Sequence, residues 1–396
     1  MNRVLVLTTS YPKFKGDING GFVHELSKRL SNDFEIFVLA PYGAGTKKEE
    51  EIDGIKIFRH PQFFWNIELA YGAGIFEKLK SKPVYYLTLP FFFLFQLIWT
   101  LRICKKYNIQ VIHAHWLLPN AFIASLSKLF NSKLKIIATV HGSDFWGLNN
   151  KVGTLLKKFT LNRIDKLTVV SNALKTGVIE FGCTKAISVY PMGIDTELFY
   201  PSSDKSTSLK ENYSIKGFLI LFVGIIAEAK GIKLLLEAMP SAIKELKDVT
   251  LMVVGDGIQK KEMEEYANKL GIEATVIFIG SVPHNQLPSY YSAADVFILP
   301  SYAEGFGLVI AESMSCECLT IASDLPAVKD IIDKDINGFI LGDLTVESIV
   351  KTISMAATLS NQQQMDIKKA ARKKIISSFD WKIVAENYRS LYRFVL

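Results

Sequence analysis

Residues 295–315 read DVFILPSYAEGFGLVIAESMS, and this stretch decides the fold. The apolar run Val296–Leu299 predicts a buried strand, and the apolar pattern from Leu308 onward predicts a helix. The loop between them holds Glu304 and the glycine-rich segment Gly305–Gly307. A strand that runs through such a loop into a helix is typical of an open parallel sheet, which binds ligands at the carboxyl ends of its strands. We therefore predict an α/β fold whose functional residues lie in the loops that follow strands.

The same loop provides two kinds of group that bind nucleotides and sugars. Glu304 lies in the loop and Glu312 lies about one turn into the helix, so one carboxylate would lie at the mouth of a cleft and the other on its wall. Free amides at the helix N-terminus favour a diphosphate. Carboxylates accept hydrogen bonds from the vicinal hydroxyls of ribose or of a sugar. The surrounding strand, glycine-rich turn and helix start make this pair more specific than two glutamates that happen to lie eight residues apart.

Short β-branched runs alternate with amphipathic stretches along most of the chain. The predicted strands are Arg3–Leu7, Glu35–Ala40, Ile55–Arg59, Val111–Ala114, Lys135–Val140, Lys166–Val170, Ala186–Val189, Leu219–Val223, Thr250–Val254, Thr275–Phe278, Val296–Leu299, Thr320–Ala322 and Gly338–Ile340. Helical patterns separate most of them, for example Phe22–Leu30 and Pro119–Leu129. This alternation predicts parallel sheets with helices on both faces.

Two such sheets are expected, because the polar segment 199–217 is broken by Pro and Gly and predicts a linker. Each half would be a doubly wound, Rossmann-like domain, and two sheets that face each other would form an interdomain cleft. The length of 396 residues and the hydrophobic content of 49% fit two cores in an ordinary globular protein. They exclude a disordered or fibrous chain.

The cysteines and the N-terminus indicate the compartment. Four cysteines, at positions 104, 183, 316 and 318, are too few for a disulfide framework. No paired CxxC elements or histidine cluster offers a tetrahedral zinc site, so we predict no metal and a reducing, cytosolic setting. The first apolar run, Val4–Leu7, reads as a buried strand and is too short for a signal peptide.

The charge is unevenly distributed. Residues 1–200 carry 25 Lys and Arg against 15 Asp and Glu, whereas residues 201–396 carry 21 against 24. A basic first half predicts an anionic partner: nucleic acid, an acidic membrane surface or a phosphate-bearing substrate. The excess is diffuse and lacks the aromatic motifs of nucleic-acid binding, so nucleic acid is not expected.

Residues 84–101, VYYLTLPFFFLFQLIWTL, are the membrane candidate. The stretch is about long enough to span a bilayer, but Pro90 lies inside it and Gln96 and Thr100 share one face. Basic residues flank both ends and give no inside–outside asymmetry: Lys80, Lys82, Arg102, Lys105 and Lys106. Two interpretations stay open. One is a helix in the membrane interface with its basic ends at phosphate headgroups, and the other is a helix buried within the first domain.

The first half has three further loops that can do chemistry. Gly20-Gly21 precede a predicted helix, where glycines let a backbone approach a ligand and helix amides favour an anion. His113 and His115 end one strand, and His141 ends another before a turn that contains Asp144. Histidines in such loops can donate to sugar hydroxyls or stabilise a developing charge. The alternative is that neighbouring backbone carbonyls satisfy them.

Two loops in the second half carry weaker patterns. Lys230-Gly231 precede an apolar helix, where a lysine can neutralise a bound phosphate. Gly255 and Gly257 follow another strand, but residue 260 is lysine, so the GxGxxG fingerprint is missing. Its absence argues against a nicotinamide-dependent dehydrogenase.

Together these features resemble the family 4 glycosyltransferases, retaining enzymes with the GT-B fold of two facing Rossmann-like domains. The resemblance runs nearly end to end. The matching segments are Gly20-Gly21, HAHW at 113–116, HGSD at 141–144, PMGID at 191–195, Lys230-Gly231, FDW at 379–381 and, most specifically, EGFGLVIAE at 304–312. The resemblance implies a last helix that crosses back to the first domain. The N-terminal domain would then comprise residues 1–198 and 381–396, and the C-terminal domain residues 199–380.

The resemblance also implies roles for the matching residues. The donor-binding residues would be Gly20, Gly21, Gly224, Lys230, Gly305, Phe306, Gly307, Leu308 and Glu312. The catalytic candidates are His141 beside the transferred sugar, Lys230 on the diphosphate and Glu304 on the hydroxyls of the donor sugar. His115 and Asp144 are acceptor-side candidates.

The implied function is transfer of a sugar from a UDP- or GDP-sugar to an acceptor hydroxyl. No metal or other cofactor is expected, because lysine and helix amides can balance the diphosphate. Many members of the family act on lipid-linked acceptors at the cytoplasmic face of the membrane. We therefore expect a lipid-linked glycan as acceptor and a cytoplasmic protein, with peripheral attachment to the inner membrane face as an open alternative.

Three positions depart from the family pattern. Ile225 follows Gly224 where an arginine is usual, Glu317 replaces a glycine after Cys316, and Leu325-Pro326 replaces a common double glycine. The arginine partners the lysine on the diphosphate, and losing such a positioned cation can cost about 3–4 kcal/mol of transition-state stabilisation. Two alternatives therefore stay open. One is a non-catalytic GT-B protein that binds a sugar nucleotide or glycan for a partner transferase, and the other is a sugar-nucleotide epimerase.

Overall fold

A computed structural model describes residues 1–17, 19–62, 69–70, 75 and 83–396. These residues form two compact units. Unit 1 comprises Met1–Gly193 and Val384–Leu396, and unit 2 comprises Ile194–Ile383. Lys80 and Lys82, two of the predicted flanking cations, lie outside the described residues.

The two segments where the chain passes between the units pair with each other. Ile194 N donates to Phe379 O at 2.7 Å, and Trp381 N donates to Ile194 O at 3.1 Å. These bonds hold the two segments together, and Ile194, Phe379 and Trp381 all belong to unit 2. The unit boundaries thus lie at 193/194 and 383/384, a few residues from the predicted 198/199 and 380/381.

The described part of unit 1 contains an eight-stranded sheet. Its strands are β1 (Asn2–Leu7), β2 (Phe34–Pro41), β3 (Glu49–Ile52), β4 (Ile55–His60), β5 (Val111–His115), β6 (Lys135–Val140), β7 (Lys166–Val169) and β8 (Ile187–Val189). Their order is β3-β4-β2-β1-β5-β6-β7-β8. Neighbouring strands run parallel apart from the antiparallel pair β3–β4. The strand order reverses between β1 and β5, which is where such sheets bind ligands.

Helices connect these strands. They are α1 (Gly21–Leu30), α2 (Leu89–Lys106), α3 (Phe122–Phe130), α4 (Ser143–Trp146), α5 (Lys151–Arg163) and α6 (Asn172–Glu180).

Unit 2 is built on a six-stranded, all-parallel sheet. Its strands are β9 (Phe218–Val223), β10 (Val249–Val254), β11 (Val276–Gly280), β12 (Val296–Leu299), β13 (Leu319–Ser323) and β14 (Phe339–Leu341), in the order β11-β10-β9-β12-β13-β14. The helices are α7 (Ser203–Asn212), α8 (Ile232–Leu246), α9 (Lys260–Lys269), α10 (Leu287–Ala293), α11 (Leu308–Ser315), α12 (Val346–Ala357), α13 (Asn361–Ser378) and α14 (Trp381–Val395). Helix α14 begins in unit 2 and belongs to unit 1 from Val384 onward. Here the strand order reverses between β9 and β12.

Every predicted strand is confirmed to within two residues, but β3 was not predicted. Its sequence is Glu-Glu-Glu-Ile, and it pairs with β4 at the edge of the sheet. Edge strands are often charged, so this one lacks the apolar pattern by which strands are recognised.

The prediction of a linker over residues 199–217 is wrong. Residues Ser203–Asn212 form α7, which packs against α10, and Leu209 is buried in that contact. The helix is polar nearly all round, so its sequence resembles that of a loop.

Helix α2 is part of the packing of unit 1. Phe92, Gln96 and Thr100 are buried along one face, and Gln96 Nε2 donates to Asn120 Oδ1 at 2.7 Å. By length and composition, Tyr85–Lys106 could cross a membrane, and a third of this stretch is buried. The prediction of a helix buried in the first domain is therefore correct for one face of α2.

Candidate active site

The loops after three adjacent strands of unit 2 join into one surface. Gly224 N donates to Val254 O at 3.0 Å, and Ile226 N donates to Asp256 O at 3.0 Å. These bonds tie the loop after β9 to the loop after β10. Tyr302 N donates to Ala229 O at 2.9 Å, which ties the loop after β12 to the loop after β9. The candidate site thus lies at the point where the strand order of unit 2 reverses.

Two glycines allow this close approach. Gly231 has φ +69°, and a Cβ there would come within 1.9 Å of Pro300 O. Gly255 has φ +142°, and a Cβ there would come within 1.9 Å of Gly224 O. Any larger residue at either position would push the loops apart.

Lys230 and Glu304 form an ion pair on this surface. Lys230 Nζ lies 2.6 Å from Glu304 Oε1, and the Ser301 hydroxyl donates to the same oxygen at 2.8 Å. The Glu304 side chain is 8% exposed, whereas the Lys230 side chain is 26% exposed. A carboxylate buried this deeply needs a cation and a donor to replace its lost hydration. The structure therefore brings two predicted catalytic residues together and leaves the ammonium partly open to solvent.

The glycine-rich segment supplies the start of α11. Gly307 is the N-cap residue with φ +99°, and no described side chain caps this helix end. The first backbone amides of α11 are thus available for an anion. The side chain of Phe306 is buried and packs 5.5 Å from the Phe379 ring, so only the backbone of Phe306 can take the predicted donor-binding role.

Glu312 lies one turn into α11 with both carboxylate oxygens hydrogen bonded. Its Oε1 lies 2.8 Å from His284 Nε2, and its Oε2 accepts from the Tyr291 hydroxyl at 3.0 Å. The Glu312 side chain is 6% exposed. These two donors hold the carboxylate in one orientation, and its remaining lone pairs can accept from vicinal hydroxyls.

Ile225 occupies the position expected for an arginine and is 60% exposed. The loop after β10 leads to another cation, Lys260, at the start of α9. Gln259 N donates to Ile226 O at 3.4 Å. The next residue, Lys260, has its Nζ 3.4 Å from the position that a Cβ on Gly280 would occupy.

In unit 1, Gly20 and Gly21 lie at the point where that strand order reverses. Gly20 has φ +66° and is the N-cap residue of α1. A Cβ on Gly20 would come within 2.2 Å of Ser10 O, whereas a Cβ on Gly21 would meet nothing within 4 Å. Gly20 is therefore needed for the turn itself, and Gly21 leaves open space in front of the helix.

His141 lies in an aromatic cluster at the same edge of the sheet. Its ring centroid is 4.8 Å from Trp116 and 5.2 Å from Phe22. His115 Nδ1 lies 3.1 Å from His141 Nε2. Burial lowers the pKa of His141 well below its usual range, and His115 lowers it further. Burial also lowers the pKa of His115 to about 3, so both rings are neutral at pH 7.

Asp144 fixes the backbone of the loop that contains His141. Its Oδ1 accepts from His141 N at 3.1 Å and from Gly142 N at 2.8 Å, and its Oδ2 accepts from Leu117 N. Burial raises the pKa of Asp144 to about 6, although these backbone donors act in the opposite direction. Trp116 beside it has φ +71°, a left-handed conformation that costs most residues about 1–2 kcal/mol.

Direct contact with an acceptor is not supported for His115 or Asp144. Both side chains are buried, with 1% exposure each. His115 is hydrogen bonded to His141, and Asp144 accepts hydrogen bonds from three backbone amides. Each instead fixes the position of His141, whose ring is half-buried.

Two family profiles match the chain in succession. The profile described as Glycosyltransferase Family 4 matches residues 20–198, and the profile described as Glycosyl transferases group 1 matches residues 205–374. The chain belongs to the family 4 glycosyltransferases.

Relatives and solved structures agree with this assignment. The GDP-mannose-dependent alpha-(1-6)-phosphatidylinositol monomannoside mannosyltransferase of Mycolicibacterium smegmatis is 22% identical over 88% of this chain and 88% of its own. Sucrose-phosphate synthase of Thermosynechococcus elongatus is 20% identical, with a TM-score of 0.80 over 99% of this chain and 98% of its own. HepE of Anabaena, solved with UDP and glucose, is 15% identical, with a TM-score of 0.77 over 99% of this chain and all of its own. The glycosyltransferase has the GT-B fold, as predicted.

Sequence patterns missed three polar side chains of the glycosyltransferase's second unit: Ser301, His284 and Tyr291. Ser301 lies two residues after the end of the apolar strand β12 and could have been found from that position. His284 lies four residues after the end of β11, at the same edge of the sheet. Tyr291 lies inside α10, and only the fold brings it to Glu312.

Glu317 of the glycosyltransferase explains one departure from the family pattern. It follows the C-terminus of α11 with φ +55°. Glu317 N donates to Met314 O at 3.2 Å, and Cys318 N donates to Ser313 O at 3.0 Å. This is the Schellman ending, where glycine is usual because the backbone is left-handed. The family's glycine is thus a structural requirement that this chain meets at a cost in strain.

The described residues contain no group of three or more His, Cys, Asp or Glu side chains placed to hold a metal ion. That the glycosyltransferase needs no metal stays a prediction.

Acidification is expected to destabilise unit 1 of the glycosyltransferase. The unfolded chain protonates histidine near pH 6.5, whereas burial lowers the pKa of His113, His115 and His141 in the folded chain. Below pH 6.5 the unfolded state therefore binds more protons, so stability that is complete above this pH is lost as the pH falls. Each of these three histidines should lower the free energy of unfolding by about 2 kcal/mol when the pH falls from 7 to 5. Urea unfolding at the two pH values measures this loss.

Asp144 has the opposite effect on stability. Its pKa is raised in the folded state, so the folded protein takes up a proton before the unfolded chain does and is stabilised as the pH falls. One carboxyl does not offset three histidines, so the net effect stays destabilising. His115→Gln removes one titrating ring and should reduce the pH dependence. Equal unfolding free energies at pH 5 and pH 7 would show that the cluster is not held neutral.

Proposed function

We propose that this glycosyltransferase moves a sugar from a nucleoside diphosphate sugar to an acceptor hydroxyl with retention of the anomeric configuration. The observation that carries the proposal is the ion pair of Lys230 and Glu304, 2.6 Å apart beside the start of α11. A cation and free helix amides suit a diphosphate, and a buried carboxylate suits sugar hydroxyls. The names of two similar proteins support a nucleotide donor: the mycobacterial relative is GDP-mannose-dependent, and HepE was solved with UDP-glucose.

Each group has a role in breaking the donor bond. The ammonium of Lys230 and the amides of Gly305–Leu308 hold the diphosphate and stabilise the charge that develops on it as the sugar leaves. Glu312 accepts from the ribose hydroxyls, and Glu304 turns toward the hydroxyls of the transferred sugar. The loop at Gly224 lies against the diphosphate. No metal is required, because these groups balance the charge.

Unit 1 supplies the acceptor side in this proposal. Gly21 leaves open space in front of α1, where the acceptor can approach the backbone. His141 is neutral because burial lowers its pKa. Its Nε2 is paired with His115, so Nδ1 is the ring nitrogen that can hydrogen bond to a ligand.

The proposal is tested by turnover. The purified protein is incubated with UDP-, GDP- and ADP-sugars, and released nucleoside diphosphate is measured with and without extracted membrane lipids. We expect release from one donor class, stimulation by a lipid fraction, and a product whose anomeric proton coupling matches that of the donor. No release from any donor, or an inverted product, would contradict the proposal.

A lipid-linked acceptor is the second part of the proposal. The mycobacterial relative is named for a phosphatidylinositol acceptor. The turn before α2 and the first turns of α2 carry exposed apolar side chains, here called the apolar patch: Tyr86, Leu87, Phe91 and Leu94, with exposures of 57%, 72%, 44% and 50%. Such a patch suits insertion into the membrane interface.

The apolar patch lies at the same edge of unit 1 as Gly21 and His141. Phe92 packs 5.1 Å from His60, the last residue of β4. Phe93 packs 6.3 Å from Phe122, the first residue of α3. Both contacts put the start of α2 at the carboxyl ends of the strands. Membrane attachment there would turn the acceptor side of the unit toward the bilayer, so we propose a cytoplasmic, peripheral membrane enzyme.

Vesicle binding tests this attachment. Leu87→Asp with Phe91→Asp should weaken the affinity for phosphatidylglycerol-containing vesicles, measured by sedimentation, by at least about 100-fold, because two buried apolar side chains contribute about 1.5–3 kcal/mol each. The matched control is Leu129→Asp, an exposed apolar residue at the end of α3. Equal binding by both variants would rule out the apolar patch as the docking surface.

Ile225 favours one competing function, a non-catalytic protein that only binds a sugar nucleotide. Ile225→Arg tests it, because the new guanidinium would lie where the family holds a second cation on the diphosphate. We expect turnover of the native protein to be detectable and to rise about tenfold in the variant. If turnover is unchanged, another cation already does this work, and Lys260→Ala with Lys261→Ala as its control would identify it. Turnover only after the substitution would favour the non-catalytic function.

A further inference from the structure

His284 is the exposed member of a hydrogen-bonded trio. It lies in the turn His284–Gln286, between β11 and α10, and its side chain is 47% exposed. Its two partners are enclosed: Glu312 is 6% exposed and Tyr291 is fully buried. His284 is therefore the member of the trio that is most open to solvent.

Two members of the trio hold the Glu312 carboxylate in one orientation. His284 Nε2 lies 2.8 Å from one oxygen of Glu312, and the Tyr291 hydroxyl donates to the other oxygen at 3.0 Å. Burial raises the pKa of Tyr291, and the charge of Glu312 raises it further, so Tyr291 stays a donor. Two donors on two oxygens fix the carboxylate plane, and each oxygen keeps a lone pair for a further hydroxyl.

The His284 ring is itself held in place. Phe199 meets it edge-on, with centroids 5.0 Å apart, and Phe199 is buried. The carbonyl of Phe199 accepts from the Ser315 hydroxyl at 2.6 Å, so the support reaches back to α11, the helix that carries Glu312. A half-exposed histidine between a buried ring and a buried carboxylate is pre-organised.

We propose that His284 is a positioning residue for the ribose of the nucleotide, and that it makes the site selective for nucleotides with both ribose hydroxyls. The inference rests on the proposed function, since it needs a nucleoside diphosphate at Glu312. His284 orients the carboxylate so that its free lone pairs meet the 2′- and 3′-hydroxyls. A nucleotide that lacks these hydroxyls gains nothing from that orientation.

The experiment compares ribose and dideoxyribose nucleotides by calorimetry on the full chain. UDP, GDP and ADP are first titrated into the native protein. The diphosphate that binds is then compared with its 2′,3′-dideoxy form in His284→Ala, in His284→Gln and in the control Gln286→Ala. Gln286 is exposed in the same turn, and glutamine at 284 can keep a donor near the Nε2 position.

We expect His284→Ala to weaken the ribonucleotide about tenfold and the dideoxy form less than about twofold, as for loss of a hydrogen bond to a charged group. His284→Gln should restore most of the loss, Gln286→Ala should change neither value, and KM for the donor should rise more than kcat falls. An equal loss for both nucleotides, or no loss, would overturn the role of His284 while leaving the nucleotide site intact. If the native protein binds no nucleoside diphosphate, the proposed function fails and this inference fails with it.

Discussion

Replacement of Lys230 by methionine is expected to lower kcat/KM for the sugar donor by about 100- to 1,000-fold. The ammonium is the charged group on this surface that can stabilise the leaving diphosphate, and removal of one preorganised donor from such a site typically costs this much. Methionine keeps the length and apolar stem of lysine, so the backbone of the turn Glu228–Lys230 has no reason to move. Steady-state turnover of the best donor measures the effect.

The substitution leaves Glu304 without its cation, so loss of activity and loss of stability must be separated. Removing one partner of a buried ion pair can cost about 3–5 kcal/mol of unfolding free energy, and Glu304 is only 8% exposed. The double variant Lys230→Met, Glu304→Gln removes both charges and should unfold near the native midpoint while staying inactive. Lys233→Met, at an exposed lysine in α8, is the matched control and should keep full activity. A Lys230→Met enzyme with native kcat/KM would refute the role of this ammonium.

Glu304→Gln is expected to strengthen binding of the nucleoside diphosphate and to lower turnover of the donor sugar. In the ligand-free protein Glu304 Oε1 lies 2.6 Å from Lys230 Nζ, so a diphosphate must compete with this carboxylate for the ammonium. Glutamine removes the competing charge and its repulsion of the anion. The Kd for the nucleoside diphosphate should fall about three- to tenfold, since removal of one competing charge at this depth changes the binding free energy by about 1 kcal/mol.

Turnover of the Glu304→Gln enzyme should fall about 100-fold, because glutamine no longer offers a charged acceptor to the hydroxyls of the transferred sugar. Calorimetry with the nucleoside diphosphate and kinetics with the donor sugar measure the two effects on one protein preparation. Ser301→Ala removes the second donor to the same oxygen but keeps the carboxylate charge, so it should not tighten diphosphate binding. Weaker diphosphate binding by Glu304→Gln would show that the ion pair does not compete with the ligand.

The strand framework was predictable because buried parallel strands are continuous apolar runs, and the helices between them show their own period. Two elements were hidden for physical reasons. Strand β3 is an edge strand of three glutamates and one isoleucine, so it has no apolar pattern by which a strand could be recognised. Among the described side chains of helix α7, Leu209 is the buried one, so the composition of the helix resembles that of a linker.

The candidate site was predictable in part. Lys230 and Glu304 lie in loops that lead from a strand into a helix, and Glu312 lies one turn into such a helix; parallel sheets gather such positions at one edge. The pairing of Lys230 with Glu304 was not predictable, because residues 74 positions apart meet only once the loops are folded. The trio of Glu312, His284 and Tyr291 was missed for the same reason. His115 and Asp144 show the converse, since a polar residue after a strand can be buried by the loop that it stabilises.

The most direct test of the account is a calorimetric titration of UDP, GDP and ADP into the native protein, Lys230→Met and Lys233→Met. We expect that at least one nucleotide binds the native protein and the Lys233 variant equally, and that its affinity falls at least about tenfold in Lys230→Met. Equal affinity in all three proteins would place the diphosphate elsewhere, and the absence of binding to the native protein would contradict the donor site altogether.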